Sequence, residues 1–385
     1  MVLVTEADGT IAAIENEKDA GDDVQVLEGT LCPGFVNTHC HIELSHLKSL
    51  IAEHGGLVNF VQEVMTNRNA NSVEEKLAAM QAAESELYRS GTVAVGDICN
   101  GTDSLALKKN SPLYWHNFIE ISGFVDAAAE KRLAVAEEIF SRFKANNKQE
   151  TDYQTTLSPH APYSVSKKLF QLLNDRTALQ HISIHNQEAA AENELYKNKS
   201  GDFLKLYKNF GIDIADFLPT GKTSLQRWMP YFTHGQKIIS VHNSFTSEED
   251  VDWVNSQMSK VNNVKPDEQS DIKFNYCVCI NSNLYIESTL PPIELLMKKN
   301  CNIVMGTDSY ASNRQLNMME EIKTVKKYFP LIPLPTILQW ATFNGARALG
   351  IEEKFGSFEK GKKPGLVLIS GSENDEYTQA VKIGN

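Results

Sequence analysis

The sequence predicts an α/β protein, a parallel (β/α)8 TIM barrel with a small β-sandwich domain formed by its N- and C-terminal segments. Three observations carry this prediction. Eight short apolar runs recur along the chain, helix-patterned stretches separate most of them, and several of the runs end on histidine or aspartate. Eight repeats of strand and helix read as a closed parallel barrel rather than an open sheet.

The elements follow in order. Met1–Glu28 reads as short strands around a turn, with Asp8-Gly9 as the hairpin signal. The eight barrel runs are Leu31–His41, Thr92–Cys99, Tyr114–Ile121, Gln154–His160, Ile182–His185, Ile238–His242, Ile272–Cys279 and Asn302–Asp308. Ser72–Arg89 and Ala127–Phe143 carry Leu, Ala, Ile and Phe at helical spacing. Gly356–Lys362 leads into a last strand, Leu366–Ser370. The expected division is therefore 1–30 with 356–385 for the sandwich and 31–355 for the barrel. One stretch, about 193–236, breaks the rhythm. It is long and polar, contains Trp228 and Tyr231, and is expected to be a helical insertion capping the barrel mouth.

Bulk properties narrow the function. The chain has 385 residues, 42% of them hydrophobic and 22% charged, and a formal net charge of −12. That charge repels phosphate backbones and anionic lipid, so neither nucleic acid nor membrane is an expected partner. No apolar run approaches the ~20 residues of a membrane span, and the N-terminus lacks the pattern of a signal peptide. The six cysteines form no CxxC pair and mostly sit in apolar runs, as buried free thiols of a reducing compartment do. A cytoplasmic enzyme acting on a small molecule is the expectation.

The chemistry gathers at strand ends. His39 and His41 alternate along one strand, so both imidazoles share a face while Cys40 points away. His185 and His242 each end an apolar run, and Glu188 lies three residues beyond His185, where a carboxylate can act as acid or base. Asp308 ends another run, and aspartate is rarely buried there unless it is paired or binds a metal. In a parallel barrel every strand C-terminus lies at one mouth, so these side chains converge. Such a set suits one divalent metal ion, Zn2+ first, with Fe2+ or Mn2+ as alternatives. His160, in a proline-rich turn, and Glu43, just past the histidine pair, are candidate substrate contacts, as are Ser312 and Asn313. Trp228 and Tyr231 fit base stacking and simple packing equally well.

These residues lie in motifs that resemble the amidohydrolase superfamily, in its aminohydrolase and chlorohydrolase branch. The matching segments are PGFVNTHCH (Pro33–His41), SPHAPYSVS (Ser158–Ser166), HNQE (His185–Glu188), VHNSF (Val241–Phe245) and Ser282-Asn283. GTDSYASN (Gly306–Asn313), NGARALGI (Asn344–Ile351) and GSFEKGK (Gly356–Lys362) complete them, so the resemblance spans nearly the whole chain. It implies that His39, His41, His185 and Asp308 ligate the metal. It also implies that Glu188 shuttles protons to a ring nitrogen, and that His242 hydrogen-bonds the attacking water. Some members hold two metals bridged by a carboxylated lysine on strand 4. Thr155–Ser164 contains no lysine, which favours one metal.

The nearest sub-pattern is the aminofutalosine deaminase type. The implied reaction is hydrolytic deamination of an aminated purine or related heterocycle, with 6-amino-6-deoxyfutalosine as a candidate substrate. Hydrolysis of another C–N or C–Cl bond is the alternative, and a non-catalytic barrel scaffold a more remote one. A homodimer is compatible with the branch. Two departures stand out. Ile280 follows Cys279 where the family often has proline, and Pro364-Gly365-Leu366-Val367 replaces the usual Ala-Asp-Leu-Val.

Overall fold

The computed structural model describes residues 1–19, 21, 24–146, 153–264, 273–371 and 379–383. Ile272, the expected start of one strand, and parts of both terminal segments lie outside the described residues.

Thirteen strands are described. Four belong to the first parallel sheet: β4 (Phe35–Cys40), β5 (Thr92–Cys99), β6 (Tyr114–Ile121) and β7 (Tyr153–Pro159), in that order. Four more, β8 (His181–Asn186), β9 (Lys237–His242), β10 (Lys273–Val278) and β11 (Asn302–Met305), form a second parallel sheet. The two sheets join at both edges. His185 N donates to His160 O across β7 and β8, and Thr307 N and Asp308 N both donate to His39 O between β11 and β4. Eight parallel strands thus form one continuous ring, as the eight apolar runs require. β4 and β5 are buried at every residue, which explains why they read as unbroken apolar runs rather than alternating ones.

The helices between strands start where the sequence signals them. Val73–Arg89 opens with a capping box, in which Ser72 accepts from Glu75 N and the Glu75 carboxylate accepts from Ser72 N. Ala129–Asn146 and Lys167–Arg176 cover β6 and β7 through Leu133, Phe143, Leu169 and Leu173, all buried. A second core cluster joins Val36, Phe118, Val241 and Cys277 from the strands to Ala346 and Leu349 near the C-terminal end of the ring sequence.

The first run divides in two. Leu31–Pro33 belongs to β3 (Thr30–Pro33), which pairs with β12 (Leu366–Ser370) outside the ring, and only the part from Phe35 enters the barrel. The break falls at Gly34, where a Cβ would stand 2.3 Å from a Val93 methyl and 2.7 Å from Pro364 O. β12 also pairs with β13 (Gln379–Ile383). At the N-terminus, β1 (Val2–Thr5) and β2 (Ile11–Glu15) form an antiparallel hairpin, with Asp8-Gly9 in the turn as expected. Ile11 exchanges backbone hydrogen bonds with Gly361 and Lys362, tying this hairpin to the C-terminal segment. The terminal segments therefore contribute two small antiparallel sheets. No described helix is long and apolar enough to cross a membrane. The six cysteines are unpaired and five are buried.

The stretch expected as a helical insertion is helical, with Ala190–Asn198, Phe203–Asn209 and Ser224–Trp228.

Candidate active site

The mouth of the ring collects the polar strand-end residues. β4 ends at Cys40, leaving His39 inside the strand and His41 just after it, and their rings meet edge to face with centroids 4.8 Å apart. Gly306 lets β11 approach: a Cβ there would stand 2.8 Å from the His39 Cβ and 2.9 Å from its carbonyl oxygen. Past β11 the chain turns sharply, and Asp308 takes φ +59°. His242, the last residue of β9, takes φ +73°. Non-glycine residues in this left-handed region cost stability and gather at functional sites. Here both turns swing a side chain back over the ring.

The nitrogens converge. His41 Nε2 lies 3.1 Å from His39 Nε2 and 3.2 Å from His185 Nε2, and Asp308 Oδ1 lies 3.4 Å from both His39 and His41 Nε2. Donors arranged tetrahedrally around an ion at 2.0–2.1 Å stand roughly 3.3–3.4 Å apart, so these spacings suit one shared cation. A wider circle of 4.8 Å holds one ligand atom each from His39, His185, His242 and Asp308. His41 is not in that quartet, yet its Nε2 lies 3.1–3.4 Å from ligand atoms of three of its members. The ligand orientations are braced from behind. His185 Nδ1 donates to His160 O at 2.8 Å, which leaves the Nε2 lone pair for the cluster, and Asp308 Oδ2 accepts from Ser282 Oγ and Ser312 Oγ at 2.7 and 2.5 Å.

Burial sets the charge states. It lowers His41 and His242 to about 4 and takes His185 well below its ordinary value, so all three are neutral lone-pair donors at pH 7. Burial works against the Asp308 carboxylate, but its hydrogen bond with His39 and the nearby His41 and His242 outweigh that and hold it well below the usual range. Glu188 goes the other way. Burial, then the Asp308 charge, raise it well above an ordinary carboxyl. Its Oε1 lies 3.6 Å from His242 Nε2, while His242 Nδ1 bonds Asn283 Oδ1 at 2.8 Å.

Glu188 is placed by a neighbour that sequence reasoning missed. Gln187 takes φ +46°, and the Glu192 carboxylate accepts from Gln187 N at 3.1 Å and from Glu188 N at 2.7 Å. The signal was present as an acid four residues on, in the first turn of the next helix, where backbone N–H groups lack helical partners.

A cavity of about 460 Å3 opens over the cluster and reaches His41, Glu188, His185, His242 and Asp308. That is the size of a small-molecule site. Its outer wall is apolar, from Leu57, Phe60, Val61 and Val64 on the helix Leu57–Asn67 and from Leu206, Tyr207 and Phe210 on the insertion. The insertion thus lines the mouth on one side. His160 also lines the cavity, with Nδ1 bonded to Ser164 Oγ at 2.6 Å.

Three expected substrate contacts are engaged by other partners. Glu43 turns away because Ile42–Leu47 coils into a 3-10 helix, and its carboxylate accepts from Asn100 N, Gly101 N and Ser104 Oγ. Ser312 is spent on Asp308, and Asn313 Nδ2 donates to Thr307 O and Glu321 Oε1. None of the three lines the cavity. Trp228 is fully buried and donates to Asn186 Oδ1, and Tyr231 stacks on Phe170 with ring centroids 5.3 Å apart, so both are packing aromatics. The cavity is also lined by polar residues absent from the sequence-derived set, among them Glu120 near the end of β6 and Arg68. Glu120 is an acid in an otherwise apolar strand end, the same signal that drew attention to Asp308.

The amidohydrolase family profile matches residues 30–384. The chain belongs to the amidohydrolase family. Among its relatives, an adenosine deaminase of Helicobacter pylori is 27% identical over 91% of this chain and 81% of its own length. An aminodeoxyfutalosine deaminase of Nitratiruptor sp. is 25% identical over 93% and 81%. The crystal structure of Helicobacter pylori aminofutalosine deaminase with methylthio-coformycin shares the fold, with a TM-score of 0.79 at 24% identity over 96% of this chain and 87% of that one.

Proposed function

We propose that this amidohydrolase is a metal-dependent deaminase that releases ammonia from an aminated purine or related heterocycle, 6-amino-6-deoxyfutalosine among the candidates. The observation that carries the reading is the convergence of three histidine nitrogens and the Asp308 carboxylate beside the buried Glu188 carboxyl in one cavity. Relatives named as deaminases support the same reaction.

The donor set fits a cation. His39, His41, His185 and Asp308 would hold one divalent ion, Zn2+ first and Fe2+ or Mn2+ as alternatives, since neutral imidazoles facing each other at 3.1–3.2 Å lack enough N–H groups to satisfy one another. When bound, such an ion acidifies water toward neutrality and so supplies the nucleophile. The remaining work falls to side chains. His242 directs its Nε2, buried and without a hydrogen-bond partner, toward the reacting region, where it orients the attacking water. Glu188 delivers its proton to the ring nitrogen next to the carbon under attack. Asp308, held as a carboxylate by its two serines, accepts a proton that can pass to the departing amine. The apolar outer wall keeps bulk water from competing.

The terminal sheets are read as one small β-sandwich beside the barrel, a view supported by the backbone bonds between Ile11 and residues 361–362.

The test is an ammonia-release screen over 6-aminopurine nucleosides and bases, with metal analysis of the same sample. Ammonia release by a sample holding about one metal per chain is the expected result. Release of chloride or alkylamine from triazines, without ammonia from any aminopurine, would replace deamination by the alternative hydrolysis.

A further inference from the structure

Glu120 is the residue of this cavity whose chemistry the reaction leaves unused. It stands one position before the end of β6, its side chain is 8% exposed, and it lines the same cavity as Glu188 and Asp308. One carboxylate oxygen is occupied: Oε2 accepts from Asn100 Nδ2 at 2.5 Å. The other, Oε1, is buried and accepts from no donor among the described residues. A buried acceptor left unpaired is costly, more so when charged, so one facing a ligand cavity calls for a donor on the ligand.

Two other roles are excluded by geometry. Glu120 could orient a metal-binding imidazole, but His185 Nδ1 lies 3.8 Å from Oε1 and already gives its N–H to His160 O. The same bond argues against a second cation between Glu120, His160 and His185. Their ligand atoms lie within 4.8 Å of one another, yet the nearby His185 nitrogen is a donor, not a lone pair. The ligand group is more closely defined by charge. The Arg68 guanidinium lines the same cavity and already offsets the negative charge of Glu120. A neutral donor fits there better than a cation. The cavity, at about 460 Å3, has room for a substituent beside the heterocycle.

We propose that Glu120 anchors a hydroxyl of a sugar attached to the heterocycle, so that the site selects nucleosides over free bases. Asn100 holds the carboxylate in place, and the Glu43 bonds to Asn100 N and Gly101 N fix that loop in turn. Glu43, expected to touch the substrate itself, thus acts two residues back from it. The inference rests on the deaminase reading of the cavity.

The test compares adenosine with 2′,3′-dideoxyadenosine, and adenine as the free base, in the wild type, Glu120→Gln and Glu120→Ala. The wild type should favour adenosine over its dideoxy analogue. In both variants the ratio of the two kcat/KM values should fall roughly 10- to 100-fold, the scale of one hydrogen bond to a charged group. The loss should appear mainly in KM, with metal content retained. A wild type that turns over the dideoxy analogue or adenine as well as adenosine overturns the proposal, whether or not the variants fold, and leaves the deaminase reading intact. An unchanged ratio in the variants does the same. If no aminated compound yields ammonia with any sample, both readings fall together.

Discussion

Two ends of the same strands meet opposite fates. β6 carries His116 near its start and Glu120 near its finish, and β8 carries His181 and His185 in the same way. At the lower end the rings pack against one another and the core, although His116 Nδ1 and His181 Nε2 are also buried without a hydrogen-bond partner. His116 Nε2 bonds Thr156 Oγ1, its ring stacks on Phe118 at 4.3 Å, and His181 meets it edge-on at 5.5 Å. At the mouth, Glu120 Oε1 and His242 Nε2 lack partners, and the Nε2 atoms of His39, His41 and His185 converge with Asp308. Burial depresses the histidines at both ends, to about 3 for His116 and about 4 for His41 and His242. Neutral imidazole is therefore not what distinguishes a site. The difference is whether the nitrogens are dispersed among packed rings or aimed at a common point beside a carboxylate.

The comparison can be broken most severely at the mouth. Glu188→Gln should keep its metal and lose turnover by about 10²–10⁴-fold, the usual contribution of a placed acid or base. Wild-type rates in that variant would remove Glu188 from the reaction. His185→Ala should show the converse, with metal content and activity falling together. Its affinity should weaken by more than the roughly 10- to 100-fold typical of outer-shell changes, and elemental analysis after dialysis against a chelator would measure it.

A third test lies behind the site, where polar burial serves structure. Lys108 Nζ bonds Asp97 Oδ2 at 2.5 Å and Asn117 Oδ1 at 2.7 Å, and Asp97 Oδ1 accepts from Ile42 N just after His41. Lys108→Met leaves the Asp97 charge buried and alone, which should cost about 3–5 kcal/mol in urea unfolding. Adding Asp97→Asn should recover part of that loss. Recovery to nothing would mean the pair is not acting as a pair.

The smallest effect concerns the lower histidines. His116 has a folded-state value of about 3 against 6.5 in an open chain. Its contribution to stability is present above pH 6.5 and is lost as pH falls toward 3, because the unfolded chain takes up a proton that the fold refuses. His116→Gln should therefore lose less thermal stability than the wild type between pH 7 and pH 4.5. Parallel melting curves at both pH values would refute this if the two proteins lost the same amount.

Much of the site was legible because its signals are local. Strand alternation alone brings His39 and His41 to one face, and an apolar run ending in histidine or aspartate marks His185, His242 and Asp308. The misses share a cause. The direction of Glu43 depends on the 3-10 turn after β4, and that of Ser312 on the recoil of the chain at Asp308. Nothing within a few residues of these positions reports any of that. The long polar insertion was visible as an interruption, but its donation of Leu206, Tyr207 and Phe210 to the cavity wall was not.

By itself, then, the sequence determined the eight-strand parallel order, the family motifs and the identity of the residues that meet at the mouth. Periodicity and strand-end chemistry are carried by neighbours in the chain. The tertiary structure alone decided which carboxylates face the cavity and which brace it. It also decided that Leu31–Pro33 leaves the barrel for β3, and that Glu192 holds Glu188. Those outcomes depend on hydrogen-bond partners and close approaches between segments far apart in sequence, as where Gly306 admits His39.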